Sequence, residues 1–134
     1  MIIREFTIDD YQAAIAIWTH IKTPDSPQEI ERFLLRNPGL SLVACEDGEN
    51  GEVIGTILCG HDCRVAWLYR VAVAETHRRQ GVGNSLVREA LKRLKGEGLN
   101  TVKLFARKEN DIGNTFWRQL GFDENDTITR SITL

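Results

Sequence analysis

The sequence predicts one α/β domain in which strands and helices alternate along the chain. Short apolar segments of strand length are interspersed with segments that carry apolar residues at helical spacing. The chain has 134 residues, of which 42% are hydrophobic, and this size and composition fit a single compact core. We therefore expect residues 1–134 to form a single domain, without internal repeats or linkers.

The first third of the chain predicts a strand and two helices. Ile2 to Phe6 alternates like a strand, and Thr7 with Asp10 three residues later resembles a capping box. Helical spacing of apolar residues follows, at Tyr11, Ala14, Ile15 and Trp18. The second helix begins with a serine cap, a proline at its first position and a glutamate at its third, in Ser26-Pro27-Gln28-Glu29. Asn37-Pro38-Gly39 ends it.

The middle of the chain predicts a hairpin and one further strand. Strands at Leu42 to Cys45 and Val53 to Gly60 flank a turn-rich loop at residues 47–51. A second turn near residues 61–64 leads into an apolar strand that ends with Val71-Ala72-Val73.

A basic, glycine-containing turn follows this strand and opens directly into an amphipathic helix. The turn reads Arg78-Arg79-Gln80-Gly81-Val82-Gly83-Asn84, and the helix carries one apolar face made by Leu86, Val87, Ala90, Leu91 and Leu94. Glycines let the backbone approach a ligand, and the free N–H groups and dipole of a helix start favour a phosphate. Arginines add charge-assisted donors. The loop therefore predicts a site for a phosphorylated cofactor, with a plain helix-capping turn as the alternative.

The residues missing from this loop narrow the choice of cofactor. No lysine follows Gly83, as a P-loop requires, and Leu86 stands where a dinucleotide fingerprint has its third glycine. The form present is R-x-x-G-x-G, on Arg78, Gly81 and Gly83. It resembles the acetyl-CoA loop of the GCN5-related N-acetyltransferase (GNAT) family.

A second motif is similar to the later motif of the same family. Asn110 follows a strand predicted at Thr101 to Ala106 and precedes a short helix with Phe116-Trp117 and a terminal Gly121-Phe122. The resemblance covers nearly the whole chain. It implies the acyl-CoA N-acyltransferase fold, a mixed and mainly antiparallel sheet with helices on both sides. Thr127 to Leu134 alternates and is expected to be the last strand.

The resemblance also implies acetyl-CoA as co-substrate and assigns residues to it. Backbone groups of Val71, Ala72 and Val73 would bind the pantetheine arm, and one N–H would polarise the acetyl carbonyl. The pyrophosphate would be enclosed by the loop residues Arg78, Arg79, Gln80, Gly81, Val82, Gly83 and Asn84. Asn110 would bond the cofactor near its arm, with an ordinary helix N-cap as its alternative role.

The sequence offers several candidates for the catalytic residues. Many family members place a carboxylate on the strand before the glycine loop, where this chain has Tyr69. His61, Asp62 and Glu46 are alternative bases near the expected cleft, and solvated loop or strand-end positions are their alternative interpretation. Trp117 replaces the family's usual tyrosine acid. Its indole N–H only donates, so we expect it to bond sulfur or to pack in the core.

Charge and cysteine content exclude several classes of function. A net charge of −2 gives no overall attraction to nucleic acid or to an anionic membrane, and no apolar run spans a bilayer. Three cysteines cannot all pair internally, which fits a reducing compartment and predicts the cytoplasm. Cys59, His61 and Cys63 alternate, but nothing nearby offers a fourth ligand, so no metal is expected.

These inferences predict an acetyl-CoA-dependent N-acetyltransferase that acts by direct transfer in a ternary complex. Its acceptor would be a primary amine of a small molecule or a peptide, and a homodimer is compatible with this prediction. Two alternatives come from other classes. One is a non-catalytic acyl-CoA-binding or regulatory module, suggested by Tyr69 and Trp117 at positions where catalytic groups often stand. The other is an interaction domain that has kept only the fold.

Overall fold

A computed structural model describes all 134 residues as a five-stranded sheet with two helices on each face. The strands lie in sequence order, and only the last pair is parallel. They are β1 (Ile2–Glu5), β2 (Leu42–Cys45), β3 (Val53–His61), β4 (Ala66–Val73) and β5 (Val102–Leu104). The helices are α1 (Tyr11–Ile17), α2 (Pro27–Arg36), α3 (Val82–Gly96) and α4 (Asp111–Gln119). The mixed, mainly antiparallel sheet expected from the sequence is confirmed.

The two faces of the sheet carry separate apolar cores. On one face, α3 packs its buried residues Leu86, Val87, Ala90 and Leu94 against the central strands, and α4 adds its aromatic side chains at the edge. On the other face, α1 and α2 surround the buried Phe6 and Trp18. Burial of large apolar side chains contributes about 1.5–3 kcal/mol each, so these two cores supply most of the favourable free energy of folding.

The predicted helix start at Ser26 is confirmed in detail. The Glu29 N–H donates to Ser26 Oγ at 3.1 Å, and the Ser26 N–H donates to Glu29 Oε1 at 3.0 Å. The predicted capping box at Thr7 is also present, because the Asp10 carboxylate accepts from the Thr7 N–H at 2.9 Å, and the same carboxylate binds Arg4.

The expected last strand is wrong. Thr127 to Leu134 forms no strand, and residues 123–134 are all exposed and make no backbone hydrogen bond to the rest of the chain. Alternation makes a segment compatible with a strand, but a strand also needs a partner edge, and none in this chain pairs with it. The strand predicted at Thr101 to Ala106 is shorter than expected, since only Val102–Leu104 pairs with β4.

Arg4 and Asp10 form the most buried ion pair of the fold. Two guanidinium nitrogens of Arg4 donate to the two Asp10 oxygens at 2.8 Å each, and the Asp10 side chain is 8% exposed. Burial by itself would raise the pKa of Asp10, but the hydrogen bonds from Arg4 and Thr7 outweigh it and hold that pKa below 3.8.

Asp10→Asn should therefore lower the free energy of unfolding at pH 7 by about 2–3 kcal/mol. A folded-state pKa below the unfolded one stabilises the protein above the unfolded pKa, and this contribution is lost as pH falls through the folded value. The difference between wild type and Asp10→Asn should thus shrink towards pH 3. Urea unfolding at pH 7 and at pH 3 measures this difference in the free energy of unfolding. Asp9→Asn, at an exposed position, is the control. Equal loss in the two variants at pH 7 would contradict this role of Asp10.

Candidate active site

The two parallel strands of the sheet separate halfway along β4. Pairing between them is limited to Ala66 with Val102, Trp67 with Lys103 and Leu68 with Leu104. Because β5 ends there while β4 continues to Val73, the outer edge of β4 has no strand partner from Tyr69 to Val73. Such an edge presents backbone N–H and C=O groups that an extended ligand can bond.

A β-bulge lies in β4 at the start of this open edge. Thr56 pairs with Ala72 and Leu58 with Tyr69, so β4 has one residue more than β3 in this interval. Arg70 takes up the extra residue with a φ of +53°, which is left-handed and unfavourable for an arginine. Thr56 Oγ1 donates to the Arg70 carbonyl at 2.8 Å and accepts from the Trp18 indole at 2.9 Å. The buried Thr56 therefore holds the bulge in place.

The glycine loop lies at the far end of the same edge. Gly81 precedes α3 with a φ of +81°, and Arg79 has a φ of +63°. The Ser85 N–H makes the first intrahelical bond, to the Gly81 carbonyl, so the N–H groups of the three residues before Ser85 have no intrahelical partner. Arg78 and Arg79 are exposed, and Arg78 Nε donates to the Val73 carbonyl at 3.3 Å. A helix start with free N–H groups and the positive end of the helix dipole thus continues the open edge of β4.

Gly83 lies where the gap beside β4 opens, between Val73 at the end of β4 and Phe116 of α4. A Cβ on Gly83 would lie 3.4 Å from the Phe116 ring and 3.6 Å from Val73 Cγ2. A methyl group there would make ordinary contacts, whereas a larger side chain would project across the mouth. The start of α3 is anchored to β3, because the buried Val82 packs against Gly55. A Cβ added to Gly55 would lie only 2.9 Å from Val82 Cγ1.

Asn110 and Trp117 lie on α4, on the far side of the gap. Asn110 Oδ1 accepts from the Gly113 N–H at 3.0 Å, which makes Asn110 the N-cap of α4. Trp117 is half-buried and packs edge-on against Phe116 at 4.8 Å and Phe122 at 5.2 Å. The structure thus places Asn110 in the alternative role of a helix cap and Trp117 in an aromatic cluster.

His61, Asp62 and Glu46 are engaged elsewhere. His61 lies at the opposite end of β4 from the glycine loop, where its Nδ1 accepts from the Cys63 N–H at 2.9 Å and its Nε2 binds Glu97 at 3.0 Å. Asp62 is an exposed turn residue, and hydrogen bonds from Val65 N–H and Arg64 lower its pKa to about 2. A carboxylate with so low a pKa is a poor base.

Glu46 directly follows β2, and β3 lies between β2 and β4. Its Oε2 binds Nε2 of the half-buried His77 at 2.7 Å, and Thr76 Oγ1 contacts the other ring nitrogen at 2.8 Å. This chain of polar groups fastens the turn before the glycine loop to β2.

Tyr69 is the candidate residue that the structure brings to the gap. It is the first β4 residue beyond the pairing with β5, and its ring lies edge-on to Phe33 of α2 at 6.0 Å. Burial raises the pKa of the Tyr69 phenol above its usual value of 10, so the phenol is protonated at neutral pH. A protonated phenol at this position is a proton donor.

Sequence reasoning missed the residues that surround Tyr69. Arg70 Nε binds Asp25 Oδ2 at 2.8 Å, and its guanidinium lies 5.9 Å from the centre of the Trp18 ring. This ion pair ties the α1–α2 connection to the bulge. Trp67 stacks on Phe105 at 4.8 Å beside Tyr69, and so widens an aromatic surface along β4. Neither contact has a signal in the sequence, because each joins residues far apart in the chain.

The three cysteines differ in their exposure. Cys45 and Cys59 are buried, Cys63 is exposed, and burial raises the pKa of the Cys59 thiol to about 12. No three histidine, cysteine, aspartate or glutamate side chains are grouped so as to hold a metal ion. None of the helices has the length and apolar content required to cross a membrane.

Comparison with known proteins identifies the family. Residues 4–122 match the Acetyltransferase (GNAT) family. An acetyltransferase from Pectobacterium atrosepticum is 32% identical over 133 residues, covering 96% of this chain and 92% of the relative. A Yersinia pestis protein named as an uncharacterized N-acetyltransferase is 31% identical over 132 residues, with the same coverage of 96% and 92%. The chain belongs to the GNAT family and is an acyltransferase.

Solved structures agree with this assignment. The structure of Ard1 from Thermoplasma volcanium superposes with a TM-score of 0.83 at 26% identity, covering 93% of this chain and 84% of that one. An aminoglycoside 6'-N-acetyltransferase from Acinetobacter haemolyticus shares the fold with a TM-score of 0.78 at 22% identity, covering 100% and 99%. The GNAT family uses acetyl-CoA as co-substrate, so the fold and the chemistry of acetyl transfer are both established at the level of the family.

Proposed function

We propose that residues 1–134 work as a single N-acetyltransferase domain that moves the acetyl group of acetyl-CoA directly to a primary amine. The acceptor would be a small molecule or a peptide, bound together with acetyl-CoA in a ternary complex. One observation carries the proposal: the open edge of β4, from Tyr69 to Val73, leads straight to the free helix start of α3. A pantetheine arm and a pyrophosphate need these two surfaces in this order.

The residues present fit acetyl-CoA. Backbone groups of Val71, Ala72 and Val73 would bind the pantetheine arm as an added strand does, because that edge of β4 has no strand partner. The pyrophosphate would lie on the loop from Arg78 to Asn84, where backbone N–H groups, the helix dipole and the arginines all favour an anion. Asn110 and Trp117 would border the arm from α4.

The chemistry that acetyl-CoA supplies when bound is an activated acyl group, held as a thioester. The amine nitrogen forms the new C–N bond, the C–S bond breaks, the amine loses a proton and the leaving thiolate gains one. An alkylamine has a pKa near ~10.4, so its proton must be removed before attack. The candidate bases of this chain are engaged elsewhere, so we propose that water accepts this proton.

Tyr69 is proposed as the donor to the leaving sulfur, and the Val71 N–H as the group that polarises the carbonyl. Support for Tyr69 comes from its place at the start of the open edge and from its protonated phenol. Trp117 is proposed to pack rather than to act as an acid, because two aromatic neighbours already enclose its ring.

Tyr69→Phe should lower kcat tenfold or more. Trp117→Phe should lower kcat less than tenfold, which corresponds to an increase of under about 1.4 kcal/mol in the activation barrier. The two variants match, since each keeps an aromatic ring and removes one polar hydrogen. Steady-state kinetics on the best acceptor measures both, with acetyl-CoA affinity and melting temperature as controls. The reverse order of effects would transfer the acid role to the indole.

An amine panel tests the proposed activity. Polyamines, amino acids, aminoglycosides and peptides with free N-termini are each incubated with enzyme and acetyl-CoA, and acetylated product is detected by mass spectrometry. Direct transfer predicts that the mass of the protein stays unchanged with acetyl-CoA alone. An acetylated protein that forms without acceptor and then passes its acetyl group to the amine would replace the ternary mechanism with a covalent one.

We also propose a cellular location and a class of partner for this activity. Three cysteines without disulfide bonds support the cytoplasm as the site of action. A net charge of −2 gives no reason to expect a nucleic acid or membrane partner. The similarity to proteins named acetyltransferase supports an enzyme over a non-catalytic acyl-CoA-binding module.

A further inference from the structure

The turn between β4 and α3 is attached to the domain through one half-buried side chain. Of the residues from Glu75 to Gly81, only His77 is not exposed, and its side chain is 15% exposed. The first part of this segment is a single helical turn, closed by the His77 N–H, which donates to the Ala74 carbonyl at 2.9 Å. His77 is therefore the side chain by which this turn is anchored to the rest of the domain.

Both ring nitrogens of His77 make polar contacts. Its Nε2 lies 2.7 Å from Glu46 Oε2, and its Nδ1 lies 2.8 Å from Thr76 Oγ1. Because an ionised carboxylate can only accept, Nε2 carries the hydrogen and donates it to Glu46. Hydrogen bonds to an ionised acceptor are stronger than those between neutral groups, so Glu46 fixes the direction of the ring.

Glu46 is itself held by the hairpin that joins β2 to β3. Its backbone N–H donates to the Glu52 carbonyl at 2.9 Å. The hairpin is so tight that a Cβ on Gly51 would overlap the Glu46 carbonyl oxygen. From β1, Arg4 Nε donates to the Glu49 carbonyl at 2.9 Å and fastens the same loop. The Glu46 carboxylate thus projects from backbone that is fixed on both sides.

The loop that follows His77 contains backbone conformations that need support. Arg79 has a φ of +63° and Gly81 a φ of +81°. The left-handed region is unfavourable for an arginine, and a residue stays there only where its surroundings determine the path of the chain. Here the fixed points are His77 before Arg79 and the buried Val82 after it. The path of residues 78–81 therefore depends on both.

We propose that His77 and Glu46 are positioning residues for the pyrophosphate of acetyl-CoA. Their hydrogen bond fixes the start of the loop at residues 78–84, and with it the direction of two arginine side chains and of the free N–H groups of α3. A loop that already has its bound shape binds an anion without the entropic cost of being ordered. This role rests on the proposed pyrophosphate site, and both residues act through the loop rather than on the acetyl group.

The chain contains a second histidine–glutamate pair that serves as a matched control. His61 Nε2 binds Glu97 Oε1 at 3.0 Å, with side chains that are 18% and 45% exposed. The corresponding values for His77 and Glu46 are 15% and 44%. The two pairs share chemistry and burial, but His61 lies at the opposite end of β4 from the glycine loop. Pairs this exposed contribute little to stability, so variants of both should fold.

Titration calorimetry with acetyl-CoA tests the proposal on both pairs. We expect His77→Ala and Glu46→Ala each to raise the Kd about tenfold, and the double variant to be no weaker than either single one, because both remove the same hydrogen bond. His61→Ala and Glu97→Ala should keep the wild-type Kd. Glu46→Gln keeps an oxygen that accepts from Nε2 and should recover most of the affinity.

Steady-state kinetics on an acceptor from the amine panel separates positioning from catalysis. In His77→Ala and Glu46→Ala, the KM for acetyl-CoA should rise about tenfold, while kcat at saturating acetyl-CoA stays within about twofold of wild type. A residue that acted on the reacting groups would lower kcat as well. A large loss of kcat in either variant would therefore contradict a positioning role.

Three affinity results would also overturn the proposal. They are wild-type affinity in His77→Ala, strictly additive losses in the double variant, and an equal loss in Glu97→Ala, which would point to a general effect on the fold. Gly83→Val, inside the loop, tests the pyrophosphate site separately. If Gly83→Val weakens binding and His77→Ala does not, the phosphate site stands and the positioning role is wrong. If neither weakens binding, the phosphates lie elsewhere and both proposals are wrong.

Discussion

Gly83→Val should weaken acetyl-CoA binding a hundredfold or more, equivalent to about 2.7 kcal/mol. The side chain would project between Val73 and the Phe116 ring, across the mouth of the gap and beside the free N–H groups of α3. A branched residue there blocks the close backbone approach that the pyrophosphate needs. Titration calorimetry with acetyl-CoA measures the loss.

Gly96→Val is the matched control for this change. Gly96 belongs to the same helix, and a Cβ placed on it meets no other group within 4 Å. Both substitutions put a β-branched residue into α3, so they share the penalty in helix propensity but differ in their position relative to the proposed phosphate site. Wild-type affinity in Gly83→Val, with the fold intact, would mean that the phosphates lie elsewhere.

Thr56→Val should lower the free energy of unfolding by about 2–4 kcal/mol, the second large effect. Valine has nearly the same shape, but it removes both hydrogen bonds of a side chain that is 0% exposed. The Trp18 indole N–H is then left buried without an acceptor, and the Arg70 carbonyl loses its donor. The left-handed backbone at Arg70 has less to hold it, so acetyl-CoA affinity should fall as well.

Thr56→Ser separates the hydroxyl from the methyl group, since it keeps both hydrogen bonds and should cost about 1 kcal/mol. Trp18→Phe completes the comparison, because without the indole N–H the change to valine should cost less than it does in wild type. Urea unfolding of the single and double variants gives the coupling. Strictly additive losses would show that Thr56 does not act through Trp18.

The sequence predicts the parts of this site that depend on neighbouring residues. The turn from Arg78 to Asn84 is followed by α3 as expected, because Gly81 accepts a positive φ and apolar spacing defines the helix face. The Ser26 helix start is likewise local. The family resemblance, carried by the same loop and by the motif around Asn110, is confirmed by the comparisons.

Features that depend on distant residues could not be predicted. The bulge at Arg70 has no glycine or asparagine to signal it and is held by Thr56, which is 14 residues away. His61 and Asp62 were predicted near the cleft, but bonds to Glu97 and to their own turn take them out of it. Alternation in Thr127 to Leu134 predicts a strand but does not identify the strand that would pair with it, and the expected strand is not formed.

Hydrogen exchange of the β4 amides, with and without acetyl-CoA, tests the central claim most directly. At about 100 times its Kd, acetyl-CoA should stabilise the fold by about 2.7 kcal/mol and raise Tm by several degrees. Within that general effect, the amides of β4 between Tyr69 and Val73 that point away from β3 should gain protection selectively, as should those at the start of α3. A binding ligand that protects the α1 face instead, or no shift in Tm at millimolar acetyl-CoA, would contradict the assignment of this gap as the acetyl-CoA site.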